Sequence, residues 1–547
     1  MSASGLSLSN SYSDQNLGWM VEQADIVNDI ESVRNVLLDM GQPCFIAENG
    51  NGLGISNSRE AGAAVSGNVA AFAPAYGPGL LGDQEFRKDH GTKYSYYGGA
   101  MANGIASEEM VIALGRAGYL GSFGAGGLVP SRIEAAILRV QKELPKGPYA
   151  FNFIHSPSEP ALERGAVDLY LKYGVPCVEA AAFIDLTENI VYYRVAGLKR
   201  GPDGEIVMGN RIIAKISRRE VAIKFMAPPP EKMVAQLLSK GLITPDQAEM
   251  AKQVPMADDI TAEADSGGHT DNRPMVSLLP SIIALRNEVQ AKYKYKENLR
   301  VGVGGGIGTP EAALAAFAMG AAYVVTGSVN QACLESGASP HTKKLLAQAD
   351  MADVTMAPAS DMFEMGVKLQ VLKRGTLFAM RGQKLYNLYN AYNSIEEIPA
   401  AERLKIEKQI FRRNLDEIWK DTVSFFKERD PLQIDRAMEN PKKKMALIFR
   451  WYLGLASRWS NIGEKGREMD YQIWCGPCMG AFNNWTAGTY LEQPENRNVV
   501  DVASHLMAGA AYLFRIQTLR SQGVQVSPGL TQYIPQNRMV YCSGQAN

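Results

Sequence analysis

Eight short apolar runs of β-forming residues alternate with segments of helical spacing through the middle of the chain. They cover residues 95–101, 121–127, 149–155, 177–183, 212–217, 258–264, 300–306 and 322–328. In the segment SEEMVIALGRAG, between the first two runs, Met110, Val111 and Leu114 fall on one helical face. A later segment opens with Ser131 and Glu134, the spacing of a capping box that predicts a helix starting there.

This alternation predicts an α/β fold, and its eight units predict a (β/α)8 TIM barrel. A doubly wound open sheet shares the same alternation. The glycines favour the barrel, because they cluster at the carboxyl ends of several runs, where such barrels build their sites.

The rest of the sequence is predicted to flank this barrel. Residues 1–90 are less regular and contain Asn-Gly between two apolar runs, so we expect an N-terminal extension with short β elements and a hairpin. The barrel is expected at residues 91–340, with extra helices at about 227–254. Long helical patterns predict a helical substrate or lid domain at 341–520, followed by an irregular tail at 521–547.

Composition and charge exclude several classes of protein. Among 547 residues, 56 Lys and Arg balance 57 Asp and Glu, so no basic field predicts nucleic-acid binding. The sequence contains no run of about 18 apolar residues, so no membrane span is predicted. The Ser-rich first residues lack the features of a secretory signal and are expected to form a disordered leader. Six cysteines in so long a chain do not form a disulfide framework, so we expect a reduced, cytoplasmic protein.

The most specific local signal lies in the last two apolar runs. One run ends in three glycines, Gly304 to Gly306, and is followed by Thr309 as a helix cap with Pro310 in the first turn. The next run ends at Gly327 and Ser328, where a short helix is predicted. Glycine backbone amides can approach phosphate oxygens, and barrels bind phosphate after strands seven and eight. The alternative is that these glycines only form tight turns.

Four motifs together resemble one family. They are GGAMANGIAS, ADSGGHTDNRP, GGGIGTPEAALAAFAMGAAYVVTGS and DMFEMGVKLQVLKRG. They resemble the PfaD family, the trans-acting enoyl reductase subunits of polyunsaturated fatty acid synthases, whose relatives act in polyketide assembly lines. The wider superfamily includes the nitronate monooxygenases and shares an FMN-binding barrel with a Gly-Gly-His motif after the sixth strand.

The resemblance implies a flavin enzyme with a carrier-bound substrate. NADPH or NADH would reduce FMN, and the substrate would be a trans-2-enoyl thioester on an acyl carrier protein, within a synthase of several subunits. A homodimer is also implied. His269 is the implied proton donor or carbonyl polariser. The residues implied in FMN binding are Gly305, Gly306, Gly327 and Ser328 at the phosphate, Gly99, Ala100, Met101 and Ala102 along the ring, and Gly267 and Gly268, which let the chain pass close by. Asp265 stands where related reductases often carry Glu, and its role is open.

Two further residues are candidates for the flavin site, each with a structural alternative. Asn152 ends the third run and is expected to bind the flavin edge, or else to form a local turn bond. Lys215 lies in an apolar setting within the fifth run, where a cation would stabilise reduced flavin. A surface salt bridge is the alternative for Lys215. His155 ends a strand and is more often structural than a substrate contact.

Two basic or cysteine-containing stretches are weaker signals. Cys475 and Cys478 have redox spacing but lie in the helical region, without a thioredoxin-like pattern or a second pair for zinc. Lys442, Lys443 and Lys444 form a basic helix end, which packs in the fold or meets an acidic carrier protein.

Three rival functions are weighed against the enoyl reductase. A nitronate monooxygenase shares the fold, flavin and histidine but uses oxygen, and the long helical region argues against it. An inosine-monophosphate-type dehydrogenase needs a cysteine between strands six and seven, and residues 265–299 contain none. A flavin-free scaffold is disfavoured by the intact glycine sites.

Overall fold

The computed structural model describes residues 5–8, 20–22, 25–49, 52–58, 66–156 and 160–537. At its centre is a closed barrel of eight parallel strands, each of which overlaps one predicted run, and this confirms the predicted fold class. The barrel strands are β6 (Tyr96–Gly98), β7 (Leu120–Phe123), β8 (Ala150–Ile154), β9 (Cys177–Ala181), β12 (Arg211–Ile216), β13 (Asp259–Glu263), β15 (Arg300–Gly304) and β16 (Val324–Thr326).

Helices follow the strands because each connection carries an apolar face that packs on the barrel. The connecting segments contain α3 (Glu108–Arg116), α4 (Pro130–Glu143), α5 (Pro160–Lys172), α6 (Glu188–Ala196), the hairpin β10 (Leu198–Arg200) and β11 (Ile206–Met208), α7 (Arg219–Met226), α8 (Glu231–Ser239), α9 (Pro245–Ala251), β14 (Gly268–His269), α10 (Met275–Tyr293), α11 (Pro310–Ala318) and α12 (Ser328–Gln331).

Helix starts show where local signals succeed and where they compete. Thr309 caps α11 by accepting from the amide of Ala312, with Pro310 in the first turn, as predicted. The capping box predicted at Ser131 is wrong, because α4 begins one residue earlier at Pro130 without a side-chain cap. The fixed φ of proline suits the first helical position and sets the start there. The carboxylate of Glu134 instead accepts from Lys172 at 2.9 Å.

The elements before the barrel are β1 (Leu6–Leu8), β2 (Met20–Glu22), α1 (Ile30–Leu38), β3 (Cys44–Asn49), β4 (Gly52–Ser56), β5 (Ser66–Ala73) and α2 (Gln84–His90). Four of the strands form an antiparallel sheet in the order β2-β5-β3-β4. The predicted hairpin is β3 paired with β4, and its turn lies outside the described residues.

After the barrel, the chain is mainly helical. The elements are α13 (Pro340–Ala347), β17 (Val354–Pro358), β18 (Lys368–Leu372), α14 (Phe378–Ala391), α15 (Ala400–Ile406), α16 (Leu415–Arg429), α17 (Leu432–Glu439), α18 (Pro441–Ile462), α19 (Cys478–Thr486), α20 (Val499–Ser521) and β19 (Val524–Val526). β14, from a barrel loop, pairs with β18 of this region in a three-stranded sheet, β14-β18-β17.

The last long helix returns to the barrel. α20 packs against α11 and β5, and most of its residues are buried. Among the described helices, α20 is the one long and apolar enough to cross a membrane, a property that a buried core helix shares. The absence of a membrane span therefore stays a prediction. β19 pairs antiparallel with β1, so the two ends of the described fold meet.

The amino-terminal end of the barrel contains a buried network of charges. Asp259, at the start of β13, lies 2.8 Å from His90 Nε2 and accepts from Arg300 Nε at 2.6 Å. Burial alone would raise the pKa of Asp259, but Arg300 and His90 outweigh it and hold the pKa well below its usual range. Because barrel sites lie at the opposite end, this network is a stability feature.

Candidate active site

Most of the predicted site residues lie in or next to the loops at the carboxyl ends of the barrel strands, whereas Asn152 and Lys215 lie within β8 and β12. The amide of Gly99 donates to the carbonyl of Thr326 at 3.0 Å, which joins the loop after the first barrel strand to the end of the eighth. A side chain at Gly99 would lie 2.9 Å from Val325, so this loop needs glycine for packing. Met101 is buried beneath the loop.

The Gly-Gly-His segment crosses from the barrel to the helical region. In β14, Gly268 and His269 pair with residues of β18. Gly268 has φ +81°, which favours glycine. A Cβ on Gly267 would lie 2.7 Å from the backbone nitrogen of Cys475. Contacts within the protein therefore account for both glycines, whether or not a cofactor also lies against them.

His269 is paired with a carboxylate that the sequence reasoning missed. Its Nε2 lies 3.2 Å from Oδ1 of Asp361, in the loop before β18. Burial disfavours the imidazolium, but the hydrogen bond and charge of Asp361 outweigh burial and raise the pKa of His269 above its ordinary value. The same contact lowers the pKa of Asp361. The pair therefore favours a protonated histidine that can donate.

The structure assigns a positioning role to Asp265. Its Oδ1 accepts from Asn272 Nδ2 at 2.9 Å and from Gln370 Nε2 at 2.7 Å. Gln370 belongs to β18, and its amide also donates to the carbonyl of Ser266 at 2.9 Å. Asp265 thus ties the two ends of the Gly-Gly-His loop to the strand with which that loop pairs.

Carboxylates surround Lys215, which corrects the expected apolar setting. Its Nζ lies 3.2 Å from Glu263 and 3.9 Å from Glu179, both on neighbouring strands. Burial alone would lower the pKa of Lys215, but these carboxylates raise it, so the charge is retained. The side chain is 26% exposed, so the cation remains accessible from the barrel mouth.

Only one oxygen of Glu179 is hydrogen-bonded within the described residues. Oε2 accepts from the Tyr97 hydroxyl and from the amide of Ala100 at 2.7 Å. Oε1 is buried and lies 3.9 Å from Nζ of Lys215, too far for a hydrogen bond, and it has no hydrogen-bond partner among the described residues. A buried acceptor without a donor is costly, so a bound ligand with an N–H group would satisfy it.

Asn152 contacts the same strand as Glu179. Its Nδ2 donates to the backbone carbonyl of Glu179 at 3.2 Å, and the side chain is buried against Gly126. This is the local bond considered as the alternative. It leaves the amide edge facing the cavity described below. His155, the weaker candidate, lies 2.9 Å from Glu163 and stacks on Phe183, contacts that make it structural.

The glycines predicted to hold phosphate differ in whether their backbone conformation or their neighbours would exclude a side chain. Gly305 has φ +89°, and a Cβ there would lie 2.6 Å from the backbone of Ala264. Gly306 has φ +81° but meets nothing within 4 Å. Gly327 has neither a positive φ nor a neighbour within 4 Å. The last two positions therefore border open space, as a phosphate cradle requires.

The Cys-Gly-Pro-Cys segment closes this glycine cluster. The amide of Gly476 donates to Oγ of Ser328 at 2.9 Å. A Cβ on Gly308 would lie 2.3 Å from the carbonyl oxygen of Cys478, the first residue of α19. Burial raises the pKa of Cys478 to about 11, although hydrogen bonds to Ser328 and Gly306 oppose the shift. The described residues contain no cluster suited to a metal ion. This segment has a structural role that sequence spacing did not reveal.

A cavity of about 800 Å³ connects the barrel mouth to the helical region. Ala102, Asn152 and His269 line its barrel side, whereas Lys215 and the phosphate glycines are not among its lining residues. α16 and α18 supply its far wall. Asn103 Nδ2 donates to Oγ of Ser457 at 3.2 Å, which fixes α18 over the barrel mouth.

The three lysines at the start of α18 are occupied within the protein. Lys442 donates to the carbonyl of Tyr392 at 2.5 Å. Lys443 pairs with Glu364, and Lys444 lies over the ring of Trp419. These contacts favour packing, one of the two expectations for this stretch, over carrier docking.

Two family models match parts of the sequence. Residues 87–384 match nitronate monooxygenase. Residues 392–471 match the inserted helical domain of [acyl-carrier-protein] S-malonyltransferase. The first match covers the barrel, and the second covers helices that include α16 and α18.

Relatives are named for polyunsaturated fatty acid synthesis or for polyketide biosynthesis. One polyunsaturated fatty acid synthase subunit of Thraustochytrium sp. is 48% identical over 500 residues, which cover 90% of this chain and 33% of that protein. The polyketide biosynthesis protein PksE of Bacillus subtilis is 46% identical over 442 residues, which cover 80% of this chain and 57% of that protein. The chain thus spans a third to just over half of these relatives.

A solved structure matches most of the fold. The enoyl reductase domain of MlnA, from the macrolactin biosynthesis cluster of Bacillus amyloliquefaciens, superposes with a TM-score of 0.77 at 38% identity. The match covers 81% of this chain and 99% of that domain.

Proposed function

Because the chain belongs to the nitronate monooxygenase family, and within it to the group of the MlnA enoyl reductase domain, we propose that it is an FMN-dependent enoyl reductase. Its substrate would be a trans-2-enoyl thioester on an acyl carrier protein, and its electron donor NADPH or NADH. The observation that carries this proposal is the cavity from the His269–Asp361 pair to the helical region.

Two features of the barrel mouth fit a flavin. The buried Oε1 of Glu179 lacks a donor among the described residues, and a flavin ring carries an N–H group. Gly306 and Gly327 border open space beside Ser328, where a phosphate fits. Bound there, FMN would supply hydride transfer between a nicotinamide and an enoyl thioester.

His269 supplies the proton chemistry. Reduction of the double bond places negative charge on the thioester oxygen, and a donor at that oxygen lowers the barrier. The Asp361 carboxylate holds the imidazolium form of His269, which donates to this oxygen or to the α-carbon. Lys215 keeps its positive charge among the carboxylates at the strand ends.

The helical wall fits a long tethered substrate. A small nitroalkane does not need a cavity of about 800 Å³ that continues along α18. The region matched by the malonyltransferase insert supplies that wall, which supports a carrier-bound thioester and partners within a fatty acid or polyketide synthase. The homodimer, the cytoplasmic location and the division into separate domains stay predictions.

Anaerobic half-reactions test this function. The purified protein is expected to have the visible spectrum of a flavin, to bleach with NADPH or NADH, and to regain colour with a crotonyl thioester. Product analysis should then show butyryl thioester. Reoxidation only by oxygen with a nitroalkane would establish a nitronate monooxygenase instead. A colourless protein that gains no activity with added FMN would identify a scaffold.

A further inference from the structure

One face of α18 forms the wall of the cavity opposite the barrel. Trp451, Gly454, Leu455, Arg458 and Ile462 line it, at the spacing of neighbours on one helical face. Among these five positions the face is apolar at three and basic at one, and Arg450, Ser457 and Asn461 of the same helix also line the cavity. It combines walls for a carbon chain with a site for an anion.

Gly454 is unusual on this face, because it lies in the interior of a 22-residue helix. Glycine there destabilises a helix by roughly 0.5–1 kcal/mol relative to alanine. Packing within the protein does not require it, since a Cβ would meet only Oγ of Ser360, at 4.0 Å. A side chain would instead project into the cavity. Ser360 precedes Asp361, the partner of His269, so the open space over Gly454 leads to the histidine.

Among the charged side chains that line the cavity, Arg458 is the one without a partner in the described part of the chain. It is exposed, and it forms no hydrogen bond or ion pair within the described residues. Arg458 lies more than one turn before the carboxyl end of α18, and the helix dipole has little effect at that distance. The other charged lining residues each have an ionisable partner: Arg132 has Glu108, Glu163 has His155, His269 has Asp361, Asp421 has Arg413, and Arg450 has Glu364.

A guanidinium group left free at such a position suits a phosphate. Arginine binds phosphate oxygens through paired N–H groups and loses little hydration in doing so. Carrier proteins hold acyl chains as thioesters on a phosphopantetheine arm, which has a phosphate at one end and the thioester at the other. The cavity likewise has Arg458 in its helical wall and His269 on its barrel side.

We propose that Arg458 binds the phosphate of the phosphopantetheine arm, and that the arm crosses α18 at Gly454 to bring its thioester to His269. This inference rests on the proposed function, because it supplies the tether for the enoyl substrate. Arg458 is a substrate-binding residue, and Gly454 keeps the passage open.

Paired substrates test the role of Arg458. The crotonyl thioesters of 4′-phosphopantetheine and of pantetheine differ only in the phosphate. Arg458→Ala should lower kcat/KM for the first roughly 10- to 100-fold, the effect of a lost charged hydrogen bond, and leave the second unchanged. Arg458→Lys should restore part of the loss. Arg436→Ala, at an exposed arginine of α17, is the matched control and should change neither value.

The phosphopantetheine arm can be supplied by coenzyme A or by a carrier protein, and Arg458→Ala should weaken the reaction with both. Crotonyl-CoA and a crotonyl carrier protein share the phosphopantetheine, so Arg458→Ala should weaken both. A loss confined to crotonyl-CoA would assign Arg458 to the adenosine phosphates and overturn the inference. An equal loss for the phosphopantetheine and pantetheine substrates would overturn it too, while leaving the enoyl reductase function intact.

Binding measurements keep the inference testable if no substrate is reduced. Calorimetry should show that wild-type protein binds 4′-phosphopantetheine more tightly than pantetheine, and that Arg458→Ala abolishes the difference. No difference in the wild type would refute the phosphate site. Gly454→Ala should keep or raise Tm, and Gly454→Leu should lower kcat/KM for both substrates at least roughly 10-fold. Full activity in Gly454→Leu would show that the arm takes another path.

Discussion

Gly327→Ala separates the cofactor site from the stability of the fold. Gly327 has φ −134°, and an added Cβ would meet nothing within 4 Å. Alanine there should change the stability of the cofactor-free protein by at most about 0.5 kcal/mol. Its neighbours do not allow this test. A Cβ on Gly305 would lie 2.6 Å from backbone, and Gly306 has φ +81°, which costs alanine about 1–2 kcal/mol.

The expected loss appears only with the cofactor. If the FMN phosphate lies in the open space beside Gly327, the new methyl group displaces it from a backbone donor. Losing one charged hydrogen bond costs about 2 kcal/mol, which weakens FMN binding roughly 30-fold. At a concentration 100 times the wild-type Kd, FMN stabilises the wild type by about 2.7 kcal/mol. The same concentration should stabilise Gly327→Ala by only about 0.9 kcal/mol.

Fluorescence titration of the apoprotein with FMN, together with urea denaturation with and without FMN, measures both quantities. Gly77→Ala is the matched control, because Gly77 also has a negative φ and no neighbour within 4 Å, and lies outside the site. Equal FMN affinity in Gly327→Ala and wild type would refute the assignment of the phosphate to this cluster. A large loss of apoprotein stability would refute the interpretation of the space as open.

Substitutions at three further residues test the chemistry of the site and the stability of the barrel. Asp361→Asn should shift the alkaline limb of the pH profile of kcat/KM to lower pH, because it removes the carboxylate that raises the pKa of His269. An unchanged pH profile would contradict the pairing. The pKa of His269 in the folded protein lies above its ordinary 6.5, so the pair with Asp361 stabilises the fold in mildly acidic buffer and ceases to do so as pH rises through the folded pKa. In urea denaturation, the loss of unfolding free energy in Asp361→Asn should therefore be larger at mildly acidic pH than at alkaline pH. Asp259→Asn should cost about 3–5 kcal/mol of unfolding free energy by breaking a buried pair with Arg300, and a cost below about 1 kcal/mol would show that the network contributes little. Lys215→Met should reduce the steady-state rate of enoyl reduction at least roughly 10-fold while FMN stays bound, and Lys215→Arg should recover part of this rate. An unchanged rate in Lys215→Met would show that Lys215 has no role in the reaction.

The barrel was predictable because its signals are local. Each strand is a short apolar run, and each following helix shows its own period, so the eight units are readable without knowledge of tertiary contacts. The cap at Thr309 is equally local. The failure at Ser131 is local too, because two start signals overlap and the proline determines the start.

The unpredicted parts of the site are contacts between distant segments. Asp361 is 92 residues from His269, and Gly476 is 148 residues from Ser328. No spacing rule joins such positions, because the pairing of β14 with β18 and the packing of the segment before α19 bring them together.

The surroundings of Lys215 could have been found from the sequence. Glu179 is the central residue of β9 and Glu263 is the last residue of β13, the strands that flank β12 in the barrel. In the strand register Glu179 is level with Ile213 and Thr261 is level with Lys215, so each glutamate is two residues from level with Lys215. Residues two apart on a strand share a face, so the barrel order predicts ion pairs with Lys215. The apolar residues next to Lys215 in its own run instead led to the prediction of an apolar setting.

The pairing of Leu6–Leu8 with Val524–Val526 has a consequence for protein engineering. Since the two ends of the described fold lie side by side, a short linker can join them into a circle. New termini can then be opened at the exposed turn around Gly204, between β10 and β11. Such a circular permutant would keep the barrel and the wall of α18 intact. It would also let a carrier protein be fused at a chosen point on the surface, away from the paired strands β1 and β19.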